Sequence, residues 1–252
     1  MGYHKSSSYL ATFSVALGVA LVPFTFVTPQ LRAQQLYAKL TFPRTPVGAP
    51  RRSIGGGTRG RETPPPSCIN KNSPVIALSP HNNVVTTVSD QPTLYWYIPK
   101  TSAKSAEFVL SDNEGQTVYE TTLALKGIPG VVKLSLPQTV ALETGKKYEW
   151  TFALKCNSDN EVPQVWVRGD IERTVLNSAQ KAQLAATKEP IKQAEVYANA
   201  GIWQETLSIL AQLRRDRPGD RDVKTAWKDL LESVELKDIA NEPLVECCRA
   251  DK

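Results

Sequence analysis

Histidine and cysteine are scarce in this chain, which holds two of the first and four of the second in 252 residues. The shortage of histidine narrows the chemistry first. His4 sits at the extreme N-terminus, so acid–base or nucleophilic catalysis through imidazole would fall to His81, between Pro80 and Asn82 in an expected loop. Nothing beside it resembles a catalytic partner, and no Gly-x-Ser-x-Gly elbow occurs. His81 reads as a solvated loop residue. The cysteines, Cys68, Cys156, Cys247 and Cys248, lack zinc-ligand spacing, because an adjacent pair chelates a tetrahedral metal poorly. A calcium loop would need more alternating acids than Asp159-Asn160-Glu161 provides. Paired carboxylates, Asp112 with Glu114 and Asp159 with Glu161, fall in turns, where acids are favoured anyway. The stretch Gly55-Gly56-Gly57-Thr58-Arg59-Gly60 lacks the Lys-Ser/Thr that closes a phosphate loop, and no strand precedes it. The sequence therefore assigns no catalytic residue, no metal and no cofactor.

What is present is a soluble globular composition, 41% hydrophobic and 22% charged, with a formal charge of +5 that is local rather than general. Residues 35–66 carry Lys39, Arg44, Arg51, Arg52, Arg59 and Arg61 against the single acid Glu62, and the rest of the chain is nearly neutral. Residues 34–73 are rich in Pro, Gly and Arg and lack apolar periodicity, so they read as a basic, disordered or loosely docked arm. Before it, His4 and Lys5 lead into an apolar run over 9–27, and small residues follow near Ala33. That pattern predicts an export signal over 1–33, cleaved near Ala33 and Gln34. An uncleaved anchor is the alternative, weakened by Pro23 and scattered hydroxyl residues; no other stretch could span a membrane. The protein is thus expected to be exported, whether periplasmic, envelope-associated or extracellular.

Residues 74–175 predict an all-β sandwich, organised around Pro92-Thr93-Leu94-Tyr95-Trp96-Tyr97-Ile98-Pro99. Alternation puts Leu94, Trp96 and Ile98 on one face and Tyr95 and Tyr97 on the other, and the first face needs a second sheet to cover it. Strands are expected at 75–78, 84–88, 94–98, 106–110, 117–123, 131–136, 147–154 and 164–171. Asp112-Asn113-Glu114-Gly115 and Asn157-Ser158-Asp159-Asn160 read as hairpin turns. The segment Leu142-Glu143-Thr144-Gly145-Lys146-Lys147-Tyr148-Glu149-Trp150 resembles the tyrosine corner of immunoglobulin-like and fibronectin type III sandwiches. That resemblance implies a Tyr148 hydroxyl bonded to backbone a few residues upstream, with Trp96 as the core tryptophan. The chain departs from fibronectin domains in the proline after Ile98 and in Cys156.

Composition switches at Ser178, and residues 178–248 predict a helical domain. A helix over 178–187 is followed by one that opens at Pro190 and stops at Gly201, then by Trp203, Leu207, Leu210 and Arg214 at helical spacing. Asp220 can cap a last helix, with Val223, Trp227, Leu230, Leu231 and Val234 as its apolar face. Tyr197, Gly201, Trp203, Leu207 and Pro218 resemble one tetratricopeptide unit, although Thr206 stands where a small residue is usual. About three such repeats are needed for independent stability, so this hairpin is expected to pack on the sandwich or on other helices.

The Gly-rich arginine arm, the aromatic strand, the Gly-Lys-Lys-Tyr-Glu-Trp corner and Tyr-Ala-x-x-Gly-Ile-Trp together resemble one family, domain of unknown function 928. Its members are mainly predicted exported proteins of cyanobacteria, and the resemblance runs from about Arg51 to Cys248. It implies export and the two-part layout, and supplies no site residues.

Export makes cysteine pairing the default. Cys68 lies just ahead of the first strand and Cys156 ends the strand that Tyr148 begins, so a Cys68–Cys156 bridge is favoured. Cys68 with Cys247 or Cys248, or the adjacent pair bonded to itself, are the alternatives. For ligand binding the candidates are Tyr95, Tyr97, Tyr119 and Trp166, which could line an aromatic platform for a glycan or peptide if they share an exposed face. Structural roles fall to Trp96, Tyr148, Gly201, Trp203 and Trp227. Export sets nucleic acid aside as a partner for the arginine arm; membrane contact is expected only through the signal segment or that arm. The resulting expectation is a non-enzymatic binding or assembly protein whose partner is an envelope protein or polymer. The rivals are a carboxylate-based hydrolase with its site between the domains and a structural subunit of a larger envelope assembly.

Overall fold

The computed structural model describes residues 1–2, 39–43, 68–70, 73–80, 85–156 and 165–246. Eight strands come first: β1 (Ile76–Ala77), β2 (Val85–Thr87), β3 (Thr93–Ile98), β4 (Ser105–Ser111), β5 (Thr117–Ala124), β6 (Gly130–Ser135), β7 (Lys147–Lys155) and β8 (Val165–Arg173). They form a three-stranded sheet in the order β1-β3-β6 and a five-stranded sheet in the order β2-β8-β7-β4-β5. Neighbours are antiparallel except β2, which runs parallel to β8. The expected sandwich is present, and each period-two pattern turns its apolar set inward. Leu94, Trp96 and Ile98 of β3 meet Phe108 and Leu110 of β4 and Trp150, Phe152 and Leu154 of β7, all buried. Trp96 stacks on Phe152 at 4.5 Å between ring centroids and meets Phe108 and Trp150 edge-on at 5.6 Å. Gly169 lies opposite Trp150 in the β7–β8 register, and a Cβ there would come within 2.5 Å of the indole. The glycine is therefore what lets the large ring lie against β8.

Three local devices fix the chain ends of this sandwich. The Tyr148 hydroxyl accepts the Glu143 backbone N–H at 3.1 Å, the corner geometry expected from the sequence. Asp112 turns β4 into β5 as expected, its Oδ1 accepting the N–H groups of Glu114 and Gln116. Cys68 and Cys156 form a disulfide that closes a sequence separation of 88, which removes the alternatives that paired Cys68 with the C-terminus. The Thr101 hydroxyl and the Ser102 N–H both donate to the Cys68 carbonyl, so the bridge holds an already hydrogen-bonded segment.

Four helices follow: α1 (Ser178–Ala186), α2 (Pro190–Asn199), α3 (Trp203–Asp216) and α4 (Arg221–Ser233), with a 3-10 turn at Lys237–Ile239. Their ends are set locally. Asn177 and Gln180 make a reciprocal capping box for α1, and Asp220 accepts two N–H groups at the start of α4. Gly201, at φ +74°, ends α2: its N–H donates to the Ala198 carbonyl while that of Ile202 reaches Tyr197. This is the left-handed cap that glycine accepts without Cβ strain. At Thr206, where the repeat resemblance wanted a small residue, the buried hydroxyl is satisfied by the Ile202 carbonyl at 2.7 Å.

The first turn of α3 ties helices to sheets through three consecutive side chains. The Trp203 indole donates to the Leu78 carbonyl at 2.8 Å, the Gln204 amide donates to the Thr93 carbonyl at 2.6 Å, and Glu205 grips the end of β2. The Thr86 hydroxyl also donates to the Gly201 carbonyl. As a result the buried residues of sandwich and helices form one hydrophobic cluster. At the free edge of the three-stranded sheet, the parallel bridge of Leu244 to Val131 brings the chain after the helices back onto β6. Gly130 permits this approach, because a Cβ there would lie 2.7 Å from the Pro243 carbonyl oxygen.

The expected loose arm is corrected at one end. Residues 39–43 are docked, with Leu40 and Phe42 buried, the Phe42 ring edge-on to Trp203 at 5.0 Å and the Phe42 N–H donating to Ser233 Oγ at 3.0 Å. The basic and turn-forming residues around them hide this short alternation of apolar side chains. Residues 3–33 of the expected signal segment, the glycine-rich stretch, His81, the turn at 157–160, Glu161, Cys247 and Cys248 lie outside the described residues. Among the described residues, no helix is long and apolar enough to cross a membrane.

Candidate anion-binding cleft

The four aromatic candidates do not share a face. Tyr95 is buried beneath α3, where its hydroxyl meets Ser208 and Arg215; burial pushes its pKa up, and those two partners pull it part of the way back. Tyr97 is half-buried beside Glu242 on the same outer face of the three-stranded sheet. Tyr119 points inward from β5, its ring 6.2 Å from that of Phe108. Trp166 points outward from β8, between inward-facing Val165 and Val167, with the Arg168 guanidinium over its ring at 5.7 Å. Helix packing has claimed Tyr95, and the others lie on separate surfaces, so no aromatic platform forms from this set.

Glu205 is the carboxylate that the helix–sheet junction brings inside. Its Oε1 accepts the Thr87 hydroxyl at 2.7 Å and the N–H groups of Val88 and Ser89 at 3.0 Å each. Position in the first turn of α3 further favours the negative charge. Tyr197, on α2, has its pKa raised by burial and by the nearby Glu205 charge. The arrangement is a clamp on β2: one oxygen saturated by three donors is suited to holding backbone in place rather than to moving a proton. No local sequence pattern marks Gln204 or Glu205, whose partners lie more than a hundred residues away in the chain.

A different place has the chemistry of a binding site. The end of α3, one face of α4 and the chain around Ala240–Leu244 enclose a cleft of about 700 Å³. Four cations line it, Arg214 and Arg215 from α3 and Lys224 and Lys228 from α4, against one acid, Glu246. Lys224 and Lys228 are four residues apart and so lie on one helix face, one turn above the other. Trp227 forms the floor: its indole N–H donates to the Ala240 carbonyl at 3.0 Å, and the Arg214 guanidinium sits over the ring at 5.2 Å. Arg214 is half-buried, which pulls its pKa below the ordinary guanidinium value while leaving it a cation at neutral pH. Its Nη1 is buried without a hydrogen-bond partner. Lys228 is partly compensated by Glu232 at 3.6 Å; among the described residues no carboxylate pairs with Arg214, Arg215 or Lys224.

The Arg214 guanidinium held over Trp227 and the exposed Lys224 can meet an anion without first breaking an internal ion pair, whereas Lys228 would share its charge with Glu232. The cleft's size is that of small-molecule sites in general. One sequence signal pointed here: Arg214 continues the apolar stripe of Trp203, Leu207 and Leu210, and a charge on a core-facing position calls for a partner. No curated protein matches this chain. A family model does, over residues 54–244, and the chain belongs to the family described as Domain of Unknown Function (DUF928).

Proposed function

We propose that the protein is an exported, non-enzymatic binding or assembly protein of the cell envelope, which engages its partner through the cleft between α3 and α4. The observation that carries the binding reading is the set of four cations gathered around the Trp227 floor with one acid among them. Export is supported by the apolar N-terminal run after His4 and Lys5 and by the Cys68–Cys156 bridge, since such bonds persist in oxidising compartments. An envelope protein or polymer bearing negative charge is the partner that fits, and a cyanobacterial source, implied by the family resemblance, belongs to the same proposal.

The sandwich, in this reading, is immunoglobulin-like. Its order β8-β7-β4-β5 parallels the G-F-C-C′ sheet of variable-type domains, with Tyr148 on the strand equivalent to F. Its disulfide differs from the inter-sheet bridge of antibody domains, because it ties the chain ahead of β1 to the end of β7. The α2–α3 pair is read as a single tetratricopeptide-like unit, supported by the Gly201 cap and the buried Trp203.

Pull-down of the tagged chain from its own envelope tests the binding role, with the double variant Lys224→Glu/Lys228→Glu as control. An envelope component retained by the wild type and lost with the variant is the expected result. Equal recovery with both proteins, or recovery of nothing, contradicts the proposal.

A further inference from the structure

We propose that the cleft recognises a phosphate group carried on a small organic moiety, with Arg214 as the positioning fork and Lys224 and Lys228 as the charge-neutralising arms. This rests on the binding role proposed above and names the chemistry that the site would take.

Three features fit phosphate, and the first of them sets it apart from a singly charged carboxylate. Charge comes first: four cations face one acid, so a dianionic group gains more there than a singly charged one. Geometry is the second. Arg214 is held against the Trp227 ring, so a guanidinium already fixed in place lines the cleft and less freedom is lost when it meets an oxyanion. The lysines supply the third feature. Exposed and one turn apart on α4, they can swing onto the oxygens that the fork leaves free, as ammonium groups commonly do at phosphate sites. Pro218, Ala240 and Leu244 form an apolar wall beside the cations, which suits the carbon skeleton attached to the phosphate. The same monoester chemistry is met in a free phosphate ester and in the headgroup of phosphatidic acid.

Calorimetric titration at low salt with glycerol 3-phosphate, with lactate as the singly charged control, measures this directly, and flotation with phosphatidic acid vesicles tests the lipid source. Saturable binding of glycerol 3-phosphate that weakens about tenfold in Lys224→Glu and again in Lys228→Glu is expected. Arg214→Lys keeps the charge but not the fork and should lose a similar factor; both lysines are exposed, so their variants will fold whatever happens at Arg214. Vesicle binding without binding of the free ester, lost in the lysine variants, assigns the site to headgroups. Lactate binding equal to that of the ester, or affinity unchanged in the lysine variants, overturns the proposal, as does failure of both ester and vesicles. A cleft-dependent pull-down together with any of those outcomes would leave the binding role standing and the phosphate assignment refuted.

Discussion

Tyr148 shows at the scale of one residue how a short signal becomes a structural constraint. A glycine turn at Gly145, itself at φ +78°, returns the chain so that the hydroxyl at the start of β7 can accept the Glu143 N–H. The ring is buried, so its packing and its hydrogen bond contribute separately. Tyr148→Phe keeps the first and removes the second, leaving the Glu143 donor without its partner. Thermal or denaturant unfolding should register a loss of about 1 kcal/mol, and an unchanged midpoint would mean that the bond does not hold the corner. Such a contact is readable in sequence because donor and acceptor are five residues apart, with the turn chemistry between them.

Elements differ in how much of their setting the chain announces. The inward faces of β3, β4 and β7 follow from period-two alternation, because a slip of one residue would expose Trp96, Phe108 and Phe152 together. Helix boundaries at Asn177, Pro190, Gly201 and Asp220 are equally local and equally readable. The docking of α3 is of another kind. Trp203, Gln204 and Glu205 act on Leu78, Thr93 and Thr87–Ser89, and no periodicity records which carbonyl or amide a side chain will meet a hundred residues away. For the same reason the cleft escaped the sequence reading, since its cations come from two helices whose relative placement is tertiary. The element-scale prediction concerns this join. Glu205→Ala strands three donors at the end of β2 and should cost about 3 kcal/mol, whereas Glu205→Gln, which preserves an acceptor, should cost about 1 kcal/mol. Equal stability of wild type and Glu205→Ala in denaturant titration would show that the clamp is dispensable.

For the molecule as a whole, one hydrophobic cluster runs from the sandwich into the helices, and Leu40 and Phe42 fasten the chain that leads in from the N-terminal side. The Cys68–Cys156 bridge fastens the same lead-in a second time, at the end of β7. A chain-entropy account gives a bridge of that span about 4 kcal/mol of stabilisation under oxidising conditions, which a reducing compartment would withhold. Of these features the disulfide is the one that bears on the proposed export, since such bonds persist in oxidising compartments. The most direct measurement is mass spectrometry of the endogenous protein from separated cell fractions, digested without reduction. The account predicts a chain that starts near Gln34, is recovered from envelope or extracellular material, and yields a peptide joining Cys68 to Cys156. An intact Met1 form confined to the cytosol, with both cysteines reduced, would contradict it.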